Sequence, residues 1–285
     1  MLKVLGCGAV LVVAATLLNA EPLVLRQATN VLDKSTLELG IGNFTYQSDE
    51  TKFLNSSGAE TSATYTKTGT LIPVFARYGF TRTVEGTLLI PYRSSVIKNE
   101  QSGTSLTAAD SGLGDVDAGI KVNVLDSEWK AGVGGNISLP VGDKKFREGF
   151  AIAPLVAVSR SYKEITFNAN LSYAISGEYE AEDAEKTKTD PADILTFGIG
   201  AEYPVKAYKG LNAIGEFIYQ NLTETVKAGV SQSGTAGSRM DLALGARYNA
   251  GSLKTTVGLL CALGDEKYRD YDYKLLFGLT YLLKV

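Results

Sequence analysis

The sequence predicts an all-β fold, a transmembrane up-and-down antiparallel β-barrel of about twelve strands. Three observations support this prediction. Apolar and polar residues alternate over stretches of about 11–14 residues, whereas a strand of a soluble sheet commonly has about 5–6 and a tilted membrane-spanning strand needs roughly 9–11. Short turns alternate with long polar loops along the chain. Aromatic residues stand near the ends of the alternating stretches, where membrane barrels have interfacial girdles.

The alternation is clearest in the last stretch of the chain. From Tyr271 to Leu283 every second residue is apolar or aromatic, and polar residues such as Lys274 and Thr280 stand between them. Soluble antiparallel sheets also alternate, so the length of the stretches is the better discriminator. The predicted strands lie near residues 35–47, 67–79, 81–92, 114–125, 128–140, 150–160, 162–178, 192–205, 209–222, 238–249, 252–263 and 271–284.

The connections between these strands fall into two classes. Lipid offers the backbone no hydrogen-bond partner, so a sheet that spans a membrane must close on itself. An even strand count with short turns at one end and long loops at the other predicts one such barrel over residues 35–285. The tight turns are near residues 80–81, 126–127, 161, 206–208 and 250–251, and the long polar loops are 47–66, 93–113, 141–149, 179–191 and 223–237.

The segment before the barrel has two predicted parts. Residues 1–20 have the features of a signal peptide, with Lys3 at the start, an apolar run from Val4 to Leu18, and Ala20 at the cleavage point. Residues 21–34 then form a leader that either remains in the periplasm or enters the lumen as a plug. The apolar residues among 23–32 make partial burial of this leader plausible.

Composition argues against several functional classes. The formal net charge is −3, which gives no basic face for a nucleic acid. The chain contains no histidine, which removes His-dependent catalytic triads and imidazole metal sites. We therefore expect no enzyme activity, no catalytic residues, no metal and no cofactor.

Two short motifs resemble a known family. Gly112-Leu113-Gly114-Asp115-Val116 and, about a hairpin later, Ser138-Leu139-Pro140-Val141-Gly142-Asp143 are similar to segments of the phenol meta-degradation pathway (MetA-type) outer-membrane transporters. The order of these and later segments matches that family over roughly residues 35–285. The resemblance implies a barrel in the cell outer membrane that passes small, aromatic or hydrophobic molecules. Its implied partners are a small-molecule solute, outer-membrane lipid, lipopolysaccharide and the barrel assembly machinery.

The inward phase of the alternation holds many charges of both signs. Two interpretations stay open, a selective constriction of the lumen and a structural network that fills a small barrel, because twelve strands lie between packed and open barrels. We expect the strands of Glu202, Glu216 and Arg247 to bring these three side chains into one cluster. The candidates for the lumen or substrate path are Arg77, Glu85, Asp117, Lys121, Glu202, Glu216 and Arg247.

Asp115 and Asp117 are two residues apart on a predicted strand, so both are expected to point inward. We interpret the pair as part of a solvated lumen wall. The predicted function is an outer-membrane channel for passive or weakly selective passage of small solutes. The alternative is a structural or surface-interaction barrel whose lumen is closed.

Overall fold

The computed structural model describes residues 31–54, 60–101, 104–180, 187–232, 235–263, 271 and 273–285. The predicted signal peptide and most of the predicted leader therefore lie outside the described residues. Among the residues described, no helix is long and apolar enough to cross a lipid bilayer.

The described residues form strands almost throughout. The described residues also include one short 3-10 helix, Lys144–Phe146, in the connection between two strands. In chain order the strands are β1 (Thr36–Leu54), β2 (Glu60–Gly79), β3 (Val84–Gln101), β4 (Thr104–Leu113), β5 (Val116–Asp126), β6 (Trp129–Leu139), β7 (Ala151–Tyr162), β8 (Ile165–Ser176), β9 (Tyr179–Glu180), β10 (Lys188–Asp190), β11 (Ile194–Pro204), β12 (Leu211–Leu222), β13 (Val226–Lys227), β14 (Val230–Ser231), β15 (Gly237–Ala250), β16 (Leu253–Leu263) and β17 (Tyr273–Lys284).

Twelve of these strands close into an antiparallel barrel, which confirms the predicted fold class. Their order around the wall is β1, β2, β3, β5, β6, β7, β8, β11, β12, β15, β16 and β17. The seam is the pairing of β17 with β1, which runs from Thr36 opposite Lys284 to Gln47 opposite Lys274. The links at 80–83, 127–128, 163–164, 205–210 and 251–252 define the turn end of the barrel, and the opposite end is the loop end.

The two faces of the wall differ as the alternation predicts. Outward side chains such as Val156 and Leu244 are more than half exposed, as expected for surface that meets lipid. The alternate residues of the same strands, such as Leu155 and Ala243, are buried inside the barrel. Exposed aromatic residues form two belts, Phe80, Trp129, Tyr162, Tyr203, Tyr248 and Tyr281 near the turn end and Tyr46, Tyr92, Phe150, Tyr173 and Tyr273 near the loop end.

The described parts of two predicted long loops are in fact strands. The segments predicted as loops 47–66 and 93–113 continue β1, β2 and β3 beyond the wall and add β4, which pairs with β3 from Tyr92 opposite Leu113 to Gln101 opposite Thr104. These extensions form a raised sheet at the loop end. Their threonine-rich composition favours extended backbone, which outweighs the polarity that suggested loops. From two other loops, β14, β13, β10 and β9 form a small second sheet in that order.

Two prolines accompany two of the irregularities of the wall. Pro73 of β2 lies directly opposite Pro91 of β3, and neither has an N–H to donate to its other neighbour. Next to Pro73, β1 shifts its register between Ile41 and Thr45. Next to Pro91, the strand is interrupted at 114–115, between β4 and β5, where the Gly114 amide donates to the Pro91 carbonyl (2.7 Å). Each proline thus lies opposite a bulge.

Candidate functional site

A network of buried charges crosses the lumen near the turn end. Lys121 Nζ lies 2.9 Å from Glu85 Oε1, and Arg77 Nη2 lies 3.3 Å from Glu85 Oε2 and 3.4 Å from Glu38 Oε2. Lys254 Nζ lies 3.5 Å from Glu38 Oε1. These five residues, the turn-end charge network, include the predicted candidates Arg77, Glu85 and Lys121.

The strand register explains this network. Glu38 is directly opposite Arg77 on β1 and β2, and Glu85 is directly opposite Lys121 on β3 and β5. Opposite charges at such positions stabilise the pairing of the two strands. The four side chains are at most 5% exposed. Loss of Glu85 would therefore remove the buried acid that both Lys121 and Arg77 contact.

The predicted cluster of three residues on β11, β12 and β15 forms only in part. The three strands are neighbours in the wall, and Arg247 Nη2 lies 2.9 Å from Glu202 Oε2. Glu216 is also buried, but its ladder neighbours are Gly200 and Ala243, two positions nearer the loop end than the level of Glu202. Glu216 lies between Ile214 and Ile218 on the inner face of β12.

An apolar layer occupies the lumen beyond the charges. It is formed by inward side chains of the neighbouring strands β12, β15, β16 and β17, together with Tyr271. Further buried inward residues, Phe75, Leu89 and Leu155, belong to β2, β3 and β7. The packed cluster consists of Ile214, Ile218, Ala243, Leu260, Tyr271 and Leu276.

Polar side chains line the lumen again toward the loop end. Gln220 Nε2 donates to Thr196 Oγ1 (3.1 Å), and Arg239 Nε donates to Gln220 Oε1. The Tyr271 hydroxyl donates to Asp241 Oδ1 (2.6 Å). The sequence pattern placed Tyr271 on the outward face, and this is wrong, because β17 begins only at Tyr273 and the alternation does not extend back to residue 271.

Two Gly-Asp segments interlock at the loop end. The Gly142 amide donates to Asp115 Oδ1 (3.1 Å), and the Leu113 amide donates to Asp143 Oδ2 (2.7 Å). The two backbones touch, because a Cβ added to Gly142 would lie 2.5 Å from the carbonyl carbon of Gly114. We call these reciprocal contacts the latch. They join the two motifs on which the family resemblance rests.

The segment between β6 and β7, residues 140–150, is the latch loop, and it also reaches the inner face of the wall. Its Glu148 carboxylate forms a bidentate ion pair with the inward-facing Arg93 of β3, with 3.2 Å between Nη2 and Oε2. Its Glu148 amide donates to Asp115 Oδ2 (2.7 Å). Burial raises the pKa of the Glu148 carboxyl above its ordinary value, although the charge of Arg93 opposes that shift.

The interpretation of Asp115 as part of a solvated lumen wall is wrong. Asp115 is 4% exposed and lies in the bulge between β4 and β5, where its carboxylate accepts two amide hydrogens from the latch loop. Asp117 does lie on the inner face of β5, opposite Ser138 of β6. The two carboxylates therefore have different surroundings, although they are two residues apart.

No protein-family model matches the chain, and no curated protein matches its sequence. Solved structures are similar to it in fold. The COG4313 outer membrane channel from Pseudomonas putida F1 has a TM-score of 0.71 at 9% sequence identity, over 90% of this chain and 98% of that chain. The fold is that of an outer-membrane β-barrel. The TodX deltaS2S3 mutant monoaromatic hydrocarbon channel gives 0.48 at 9% identity, over 90% and 91% of the two chains.

At such low identity the likeness shows the fold alone. Within this outer-membrane barrel fold, sequence reasoning did not select Arg93, Glu148 or Tyr271 as site residues. Glu148 and Arg93 are 55 residues apart in the chain, and Glu148 stands in a loop, so periodicity gives no reason to pair them. The signal that was available was the recurrence of Gly-Asp at residues 114–115 and 142–143.

Proposed function

We propose that this chain is an outer-membrane channel for passive or weakly selective passage of small solutes, with a preference for hydrophobic or aromatic compounds. The supporting observation is the apolar layer on the inner face of the barrel, which lies between the turn-end charge network and the polar loop end. The resemblance to phenol meta-degradation transporters agrees with this cargo. Outer-membrane lipid, lipopolysaccharide and the barrel assembly machinery are the partners that such a location implies.

The apolar layer favours one class of solute for a physical reason. An apolar solute that leaves water for contact with Ile214, Ile218 and Leu276 gains roughly 25 cal/mol for each Å² of surface removed from water. An ion in the same place would lose much of its hydration, and a small anion would also face the buried Glu216 carboxylate. We therefore expect neutral or weakly polar aromatic solutes to permeate faster than small inorganic ions.

A closed structural or surface-interaction barrel remains the second candidate, and one observation favours it. Inner-face side chains are almost completely buried, including Glu85 at 0%, Ala243 at 0% and Lys121 at 2% exposure. A wide, water-filled lumen would expose such side chains. The channel function therefore requires that the lumen opens for passage.

Uptake by proteoliposomes separates the two candidates. We expect vesicles that contain the refolded protein to take up a small neutral aromatic solute faster than a sugar of similar size. Replacing Ile214 with asparagine should slow aromatic uptake by at least about fivefold, because it replaces apolar contact surface with a polar amide and so removes about 1 kcal/mol of favourable contact with the solute. Val230→Asn, at an exposed position of β14, is the control and should change nothing. Uptake no faster than into empty vesicles would support the closed barrel.

The leader, residues 21–34, is proposed to act as a lumen plug rather than a periplasmic tail. Its described end supports this, because Leu32 is buried and its amide donates to Glu85 Oε2 (3.0 Å) within the turn-end charge network. The described end of the leader also lies close to the wall, since a Cβ on Gly79 would be 2.3 Å from the Asp33 carbonyl oxygen.

Deleting residues 21–34 tests the plug. We expect the deletion to raise single-channel conductance at least twofold, because it removes chain from the turn end of the lumen. Replacing residues 21–30 alone with a glycine-serine segment of equal length keeps the length of the leader and the described contacts of Leu32. This variant should have a smaller effect on conductance than the full deletion. Unchanged conductance after the full deletion would show that the leader does not block the lumen.

A further inference from the structure

The latch loop connects three parts of the loop end. At one side Asp115 and Asp143 fasten it to the bulge between β4 and β5. Nearer to β7, the Glu148 side chain of the loop contacts Arg93 on the inner face of β3. At the other side the Gly177 amide donates to the Phe150 carbonyl (2.7 Å), which ties the end of the loop to the chain that follows β8.

The loop also borders the second sheet. A Cβ added to Gly149 would lie 3.2 Å from Tyr179 Cβ, the first residue of β9. The side chain of Glu148 points toward the lumen, because Arg93 belongs to the inward phase of β3. The latch loop thus lies at the rim of the loop-end mouth, on the side of β3, β5 and β6, with Glu148 directed into the lumen.

Polar contacts rather than apolar packing hold this loop. Its 3-10 helix, Lys144–Phe146, has no buried residue. Its described attachments include the hydrogen bonds of Asp115 and Asp143, the Arg93–Glu148 ion pair, the Gly177–Phe150 backbone bond and an exposed pair between Lys145 and Asp110. Segments with few buried apolar contacts open locally at a lower free energy than the strands to which they are attached. The loop is therefore able to swing away while the barrel wall stays intact.

We infer that the latch loop is the gate of the loop-end mouth, held closed by the reciprocal contacts of Asp115 and Asp143 and by the Arg93–Glu148 pair. This inference rests on the proposed channel function. It assigns a role to the two Gly-Asp motifs, which the lumen itself does not use. In the closed state Gly142 packs against the backbone of Gly114, and in the open state these contacts are released together.

Trypsin measures the release directly, because the loop contains Lys144, Lys145 and Arg147. In the folded protein these sites are expected to be cut slowly, with Lys188 in another loop as the internal reference. Asp115→Ala removes the acceptor of two amide hydrogens and should speed cleavage in the latch loop at least about tenfold relative to Lys188. Asp126→Ala, at an exposed position at the turn end, is the matched control and should leave the ratio unchanged.

A second variant keeps the test informative if Asp115→Ala fails to fold. Asp143→Ala removes one hydrogen bond at an exposed site, so it weakens the latch without burying an unpaired group. Faster loop cleavage in this variant, together with a higher open probability in single-channel recordings, is the expected result. Cleavage as slow as in the wild type would overturn the latch.

The readouts separate this inference from the function on which it rests. A barrel that conducts equally well whether or not the latch loop has been cut overturns the gate alone. A barrel that conducts in no variant and under no condition overturns the channel function and the gate together, and the cleavage ratio still reports whether Asp115 and Asp143 fasten the loop.

Discussion

Replacing Glu85 with alanine is expected to destabilise the folded barrel by about 3–5 kcal/mol. The carboxylate lies between Lys121 and Arg77, and both cations are at most 5% exposed. Removing it leaves two positive charges in the lumen without the acid that lies between them. The measurement is urea-dependent unfolding from lipid vesicles, followed by the fluorescence of Trp129, which is the single tryptophan of the chain.

Two further variants test the cause of that loss. Asp126→Ala removes the partner of Lys130 in an exposed pair at the turn end, and it should cost less than about 1 kcal/mol. Glu85→Ala combined with Lys121→Met removes the acid and one of its bases together, and should recover part of the stability. A Glu85→Ala variant as stable as the wild type would show that the turn-end charge network does not stabilise the fold.

Replacing Val156 with arginine is expected to cost about 2–4 kcal/mol in a bilayer. Val156 lies in the middle of β7 on the outward face, opposite Val133 of β6 and Leu171 of β8. A guanidinium there would face hydrocarbon, where it finds neither water nor an acid. The same urea titration in vesicles measures the loss.

The matched control places the same side chain outside the wall. Val230→Arg changes an exposed valine of β14, in a loop, and should alter stability by less than about 1 kcal/mol. If Val156→Arg were equally harmless, the outward face would not be in contact with lipid, and the barrel would not be a membrane protein.

The barrel itself was predictable because its two signals are local. Alternation with a period of two is visible within each strand, and a short turn forms every second connection between consecutive wall strands. The raised sheet was missed because its strands, such as 104–113, are polar on both faces, so no hydrophobic phase distinguishes them from a loop. The bulges were missed because the effect of Pro73 and Pro91 is on the neighbouring strands, and their register is not readable from local sequence.

For the candidate site, the inward phase of the alternation predicted which charged residues face the lumen, but not which of them contact each other. That phase identified Arg77, Glu85 and Lys121 as lumen charges, but their contacts depend on register, which places Glu85 opposite Lys121 across 36 residues of chain. The latch depends on a loop that folds back onto a bulge. No periodic signal reports such a contact, so Arg93 and Glu148 became visible only in three dimensions.

The seam of the barrel has a further consequence. Residues 35 and 285 are neighbours, because the Val285 amide donates to the Ser35 carbonyl (2.9 Å), and β1 pairs with β17 as any other two adjacent strands do. A circularly permuted chain that joined these two positions and began in one of the long loops would contain all twelve barrel strands in the same cyclic order. The wall is a closed ring of hairpins, so the strand that is synthesised first does not occupy a special position in it.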